Sequence, residues 1–160
     1  MSAAPAPHPR VGVAAVIRNA SGQLIVGKRL SSHGKGTVQF PGGHLEYGEE
    51  FFACAERETL EETGLRVKAV RLAAVTNSVF VEDRKHYITL FVLCEMLDPE
   101  ATPQILEPEK CETWDWVSWD TVCEWVDHHD DHSDPKWADK KCFLPILHLV
   151  KENRNVSFEP

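Results

Sequence analysis

The sequence predicts an α/β fold in which strands outnumber helices and helices bracket them. Three observations carry that reading. Several short runs rich in Val, Ile and aromatic residues occupy the centre of the chain, one strongly helical segment ends at a glycine, and two further helical segments lie near the C-terminal end. At 160 residues the chain fits one compact domain, since cores rarely divide below roughly 250 residues.

From the start, Met1 to Arg10 is Ala/Pro-rich without an apolar stretch and reads as a flexible tail, not a signal peptide. Val11 to Arg18 reads as a strand, Asn19 to Gly22 as a turn, and Leu24-Ile25-Val26 as a second strand. Ser31, Ser32, Gly34 and Gly36 make Leu30 to Thr37 a loop; Val38-Gln39-Phe40 then leads into the breaker Pro41-Gly42-Gly43. A helix is expected from about Glu49 to Thr63, with carboxylates in its first turn and Gly64 as its left-handed cap. Val67 to Val75, His86 to Cys94 and Trp114 to Val117 read as strands. Trp119 to Val126 and Ala138 to Glu152 read as helices, and Pro145 should kink the latter or delay its start. The body of the domain is therefore expected over residues 11–155, with an acidic, His-rich insertion near 127–140.

Composition narrows the function classes. The net charge of -8 would repel a nucleic-acid polymer, and a small anionic ligand would need a metal ion or a local basic cluster to offset that field. No apolar run approaches the roughly 18 residues of a membrane span. Five scattered cysteines without a C-x-x-C pair read as reduced thiols, which suits a cytoplasmic protein. The stretch Asp127 to Asp134 contains His128, His129 and His132, but adjacent loop residues rarely converge on one ion, so it reads as solvated.

The chemistry is concentrated between Gly43 and Leu65. On a helix Glu58, Glu61 and Glu62 stand at i, i+3 and i+4, so three like charges share one face and repel unless a cation joins them. Carboxylate oxygens select hard ions such as Mg²⁺, which bridges readily to phosphates. Arg57, four residues before Glu61 and eight after Glu49, can hold carboxylates in position, and the glycines ahead of the helix can turn a backbone carbonyl toward the same ion.

Read in order, the chain gives Gly43, five residues, Glu49, seven residues, Arg57-Glu58, two residues, Glu61-Glu62, one residue and Gly64-Leu65. This resembles the Nudix box, departing from it at Thr59, where an aliphatic residue is usual; Thr59 lies away from the carboxylate face. The flanks Gln39-Phe40-Pro41-Gly42-Gly43-His44-Leu45-Glu46, Thr76-Asn77-Ser78, His86-Tyr87, Glu107-Pro108-Glu109-Lys110 and Trp114-Asp115-Trp116 resemble the small eukaryotic MutT-type diphosphatases that clean the nucleotide pool.

The resemblance implies an α/β/α sandwich around a central mixed β-sheet and a hydrolase dependent on Mg²⁺, with Mn²⁺ as substitute. It implies a small-molecule diphosphate substrate, and similar proteins often form homodimers. Carried over residue by residue, Glu58, Glu62 and the Gly43 carbonyl become metal ligands, and Glu61 the ligand of a second ion or the base near the attacking water. A fourth carboxylate is assigned to Glu109, ahead of Glu107. Arg29 becomes a phosphate contact; Gln39, Phe40 and Thr89 line the base pocket, and Phe143 and Leu144 close it, Leu144 replacing a usual aromatic. Three readings follow. The first is hydrolysis of nucleoside triphosphates, purine deoxynucleotides such as dGTP or oxidised 8-oxo-dGTP, to monophosphate and pyrophosphate. The second is hydrolysis of isoprenoid diphosphates in a pocket made less aromatic, and the third is a silent nucleotide binder. The intact glutamate set argues against the third.

Overall fold

The computed structural model describes residues 7–160. Of the expected flexible tail, residues 1–6 lie outside that range, and Arg10 already belongs to the first strand. Among the described residues there are seven strands: β1 (Arg10–Arg18), β2 (Leu24–Arg29), β3 (Val38–Gln39), β4 (Gly42–His44), β5 (Val67–Phe80), β6 (Lys85–Met96) and β7 (Cys111–Val117). The three α-helices are α1 (Phe51–Thr63), α2 (Trp119–Asp127) and α3 (Leu144–Asn153).

The sheet runs β3-β2-β1-β6-β5, with β4 paired to β1 and β7 to β2. β1 and β6 are parallel and the other pairs antiparallel, so the sheet is mixed, as expected. Alternation along the strands divides the core into two layers. Val13, Ala15 and Ile17 of β1 join Val92 and Cys94 of β6 against Cys54 and Ala55 of α1. On the opposite face Val16, Phe91 and Leu93 pack with Val122 of α2 and Ile146 and Leu149 of α3. The result is the α/β/α sandwich.

Several boundaries move, each for a local reason. α1 starts at Phe51, so Glu49 and Glu50 precede it and its first turn holds no acid; Glu49 instead turns back to Arg57. Gly64 caps the helix as expected, at φ 73°, its N–H donating to Leu60 O at 3.0 Å. Thr59 is buried on the core side of α1, where its hydroxyl donates to Ala55 O at 2.7 Å, which satisfies a polar group in an aliphatic position. β5 continues five residues beyond Val75 to Phe80, because it pairs with β6 along its length. Pro145 sits in the first turn of α3 and delays it to Leu144, where a missing N–H costs nothing. The packed chain also passes residue 155: Phe158 is buried, its ring 4.9 Å from that of Trp119.

Gly42 and Gly43 do not break the chain. They form β4, with Gly42 opposite Ala14 and Gly43 opposite Val13 of β1. A Cβ on Gly42 would lie 2.1 Å from the Val13 carbonyl oxygen, so only glycine allows this approach. Gly42→Ala should therefore destabilise the fold by about 3 kcal/mol or more, since backbone on both sides cannot yield by a rotamer change. Denaturant unfolding checks this.

Candidate active site

The helix α1 presents its acids to β4, and one arginine arranges them. Arg57 grips Glu49 with two bonds, Nε to Oε1 at 2.7 Å and Nη2 to Oε2 at 3.1 Å. Its Nη1 donates to Glu58 at 3.0 Å and to Glu61 at 3.3 Å, and Nη2 reaches the His44 carbonyl at 3.4 Å. This fork–fork pairing holds the Glu49 carboxyl down at about 2 and raises the Arg57 guanidinium above its ordinary value, in both cases chiefly through their mutual hydrogen bond. Glu49 thus belongs to the site by positioning the arginine.

Glu58 and Glu62 lie deeper. A Cβ on Gly43 would meet the Glu58 carboxylate at 2.3 Å, so this glycine clears the space that Glu58 occupies. Glu62 accepts a hydrogen bond from the Gly42 N–H at 3.2 Å. Burial pushes its carboxyl up to about 8, against that bond, and the charges of Glu58 and Glu107 push the same way. Burial also raises Glu58, with Arg57 opposing. Glu61 is the exposed member, its side chain half open to solvent.

Of the two candidates for a fourth carboxylate, Glu107 lies nearer the α1 acids than Glu109. Gln104 and Leu106 donate their N–H groups to Thr63 O at 2.8 Å and Glu62 O at 3.3 Å, which fastens the following loop to the C-terminal end of α1. That brings Glu107, partly buried, close enough to raise Glu58 and Glu62. Glu109 is exposed; both glutamates bear on Lys110, whose Nζ pairs with Glu107 Oε2 at 2.5 Å. Two glutamates two residues apart could not be ranked without knowing where the loop was anchored.

These groups fit a hard divalent cation. The carboxylates of Glu58 and Glu62 are gathered beside the Gly42-Gly43 strand, where burial and mutual repulsion oppose ionisation, and a cation would relieve both. Among the described residues no three His, Cys, Asp or Glu side chains already converge as a closed cluster. The Arg57 fork keeps Glu58 and Glu61 on its own flank.

On the other face of β4 lies a cavity of about 240 Å³. Arg29, Gln39, Phe40, Thr89 and Phe143 line it, as expected from their positions. Arg29 is held by Gln39 Oε1, donates to His33 O at 3.0 Å, and lies 4.1 Å over the Phe143 ring. Burial lowers its pKa, opposed by the charge of Glu62. Leu144 does not line the cavity; it packs into the core at the start of α3, and Pro145 and Ile146 reach the cavity instead. Nor is the cavity poor in aromatics. His33, Phe80 and Tyr87 were not foreseen, yet His33 lies 4.4 Å from Phe80 and 5.4 Å from Phe143 between ring centroids. Tyr87 shares the period-two face of Thr89 and Phe91, which was a readable signal; His33 comes from a loop and had none.

The histidine-rich segment remains outside the site. His128 stacks on Trp137 at 4.1 Å, and the His129 ring accepts the Cys142 N–H at 3.2 Å, so these rings anchor a loop and a 3-10 turn at Pro135–Trp137. All five thiols are buried and none is disulfide-bonded. Among the described residues no helix is long and apolar enough to cross a membrane.

A mixed α/β/α sandwich with an acidic helix face against a Gly-Gly strand, backed by an aromatic cavity, is the layout expected of the Nudix class. The chain belongs to that family: the model of the NUDIX domain matches residues 8–140. An ADP-ribose pyrophosphatase of Methanocaldococcus jannaschii is 33% identical over 58% of this chain, which spans 54% of that enzyme's length. An RNA pyrophosphohydrolase of Erwinia tasmaniensis is 28% identical over 70% of each chain. Among solved structures, a MutT NUDIX hydrolase from Burkholderia pseudomallei superposes with a TM-score of 0.60 at 25% identity, covering 71% of this chain and 85% of its own.

Protonation supplies a test of the site without turnover. Glu62 keeps its proton in the fold up to about 8 but loses it near 4.5 when unfolded. Between those values the native state binds more protons, so this group's contribution is full below 4.5 and is lost as pH rises through 8. The metal-free protein should lose Tm across this window, and Glu62→Gln should flatten the decline. Mg²⁺, which competes with that proton, should raise Tm more at pH 8 than at pH 6. Thermal scans of both proteins in chelator and in Mg²⁺ check all three outcomes.

Proposed function

We propose that the chain is a divalent-metal-dependent pyrophosphohydrolase that cleaves nucleoside triphosphates, purine deoxynucleotides first, to monophosphate and pyrophosphate. The observation that carries this reading is the juxtaposition at β4: Gly42 donates to Glu62 and Gly43 adjoins the Glu58 carboxylate, while both glycines and His44 also line the aromatic cavity. A substrate whose base fills the cavity has its phosphates at the acids. The named relatives act on an ADP-ribose or an RNA pyrophosphate linkage, which agrees in reaction class and leaves the attached group to the pocket.

Glu58, Glu62 and the Gly43 carbonyl would hold Mg²⁺, or Mn²⁺ in its place, with Glu107 completing the oxygen set. Such an ion neutralises diphosphate charge and lowers the pKa of a bound water. Arg57 fixes Glu58 and keeps Glu61 near it, so Glu61 is placed to accept the proton of the attacking water or to bind a second ion. Arg29 brings a half-buried positive charge of the cavity wall toward the phosphates, although its hydrogen bonds to Gln39 and His33 make shaping the pocket an equal part of its task. Gln39, whose carbonyl oxygen is taken by Arg29, offers its amide N–H groups to a base edge.

The aromatic wall also supports the nucleotide over the isoprenoid reading. The case for a prenyl chain rested on Leu144 as a lost stacking surface, and Leu144 is not in the cavity. Phe80, Tyr87 and Phe143 restore flat surfaces, and a hydrocarbon would leave Gln39 and Thr89 unpaired at about 1–3 kcal/mol each. Net charge favours a small nucleotide over a polymer as well.

Glu62→Gln should lower kcat by about 100-fold or more with the fold retained, because a ligand is lost while repulsion on the helix is relieved. Glu107→Gln should be the more damaging of the two loop substitutions and Glu109→Gln nearly silent; the opposite order would reassign the fourth carboxylate. Near-normal turnover of Glu62→Gln, or full activity in excess chelator, would remove the mechanism.

A phosphate-release screen with Mg²⁺ should rank dGTP and 8-oxo-dGTP above geranyl and farnesyl diphosphate in kcat/KM. Gln39→Ala and Thr89→Ala should each raise KM for the nucleotide. A tenfold preference for the prenyl substrates would replace the nucleotide reading while keeping the reaction class.

A further inference from the structure

The mouth of the cavity holds positive charge that the proposed reaction leaves unused. In a chain with 25 acidic against 17 basic residues, Arg10 and Lys85 have no ion-pair partner among the described residues. The sheet register places both on the cavity face. Arg10 stands beside Tyr87 across the parallel β1–β6 ladder, and Lys85 follows two residues away on the same face of β6, about 7 Å along the strand. His44 joins them from β4, opposite Gly12, with its Nε2 2.9 Å from the Tyr87 hydroxyl.

Nearby acids are already engaged. Asp83 binds His33 Nδ1 at 2.8 Å, and Glu46 and Glu49 turn to Arg57. Past His44 the surface continues as an open groove whose lining includes His8, Arg10, His44 and the fully exposed Tyr47, with Glu46 and Glu49, both turned to Arg57, on the same wall. The basic rim thus separates the base cavity from a second groove that has an aromatic side chain at its edge.

Resting on the nucleotide reading above, we propose that Arg10, His44 and Lys85 form an anion subsite for a phosphate that the substrate carries outside the linkage being cleaved. The subsite favours substrates with charge beyond a simple nucleoside diphosphate. Two sources present that chemistry: the terminal phosphate of a triphosphate, or the far half of a dinucleoside polyphosphate lying along the groove toward Tyr47.

The test compares wild type with the Arg10→Gln/Lys85→Gln double variant, Arg10 being exposed and Lys85 half-buried at the cavity, and neither belonging to the core. Binding of inorganic triphosphate in chelator, followed by calorimetry and by the shifts of the His44 and Tyr87 resonances, should weaken at least tenfold in the variant. Arg10→Lys/Lys85→Arg should restore it. This arm needs neither metal nor turnover, so it decides the subsite even if no nucleotide proves to be a substrate. In kinetics with Mg²⁺, the phosphate-extended substrate should lose at least tenfold in kcat/KM, through KM, while a nucleoside diphosphate changes less than twofold. Loss confined to the nucleoside triphosphate names the terminal phosphate as the occupant; loss confined to the dinucleoside tetraphosphate names the far half. Unchanged triphosphate binding, or equal losses for extended and simple substrates, overturns the subsite.

Discussion

The close approach of β4 to both of its neighbours is the constraint on which the rest of the site depends. Gly42 lies against the Val13 carbonyl and Gly43 against the Glu58 carboxylate, and a methyl group at either position would occupy space already filled. Because side chains alternate along a strand, two adjacent glycines clear opposite faces. One clearance lets β4 sit on β1 and floor the cavity; the other lets a carboxylate enter from α1. A strand of three residues joins two compartments that would otherwise lie on opposite sides of a sheet.

Keeping acids in that narrow space requires a counterweight, and Arg57 provides it. Its five donors are spread over Glu49, Glu58, Glu61 and a backbone carbonyl, so one guanidinium orients three carboxylates without neutralising the deepest one. Glu62 lies beyond its reach, holds only the Gly42 N–H, and is left as the group most easily protonated. The arrangement has a graded character: Glu49 ionised and structural, Glu61 exposed, Glu62 buried and raised to about 8. That gradient follows from burial and from the hydrogen bonds that Arg57 gives to Glu49.

What the sequence made legible tracks how local each cause is. The α1 acids, the Gly64 cap and the Pro145 delay depend on neighbours within a turn, and residue spacing exposes them directly. The strands were visible by composition but not in extent, since β5 runs to Phe80 only because β6 is there to pair with it. Gly42-Gly43 carries the usual mark of a break, yet what fixes it is a contact with Val13, about thirty residues earlier in the chain. Leu144 was misplaced for a related reason: which residue of a helix start faces a cavity is set by the docking angle of α3, not by its order after Phe143. Glu107 and Glu109 are equivalent by type, and only the anchoring of Gln104 and Leu106 to the end of α1 separates them.

Charge is the remaining thread. A net of -8 works against an anionic ligand at long range, but screening confines that field to roughly 8–10 Å in physiological salt. Inside that distance the local pattern governs: Arg29 in the cavity wall, Arg10 and Lys85 at its mouth, and an acidic helix face that becomes attractive to phosphate only through a cation. On the reading proposed above, selectivity would come from a field that discourages anions everywhere except where a metal and a few unpaired bases reverse it. Polyanions with many phosphates outside that small reversed region would meet repulsion over most of their length, whereas a single nucleotide fits within it.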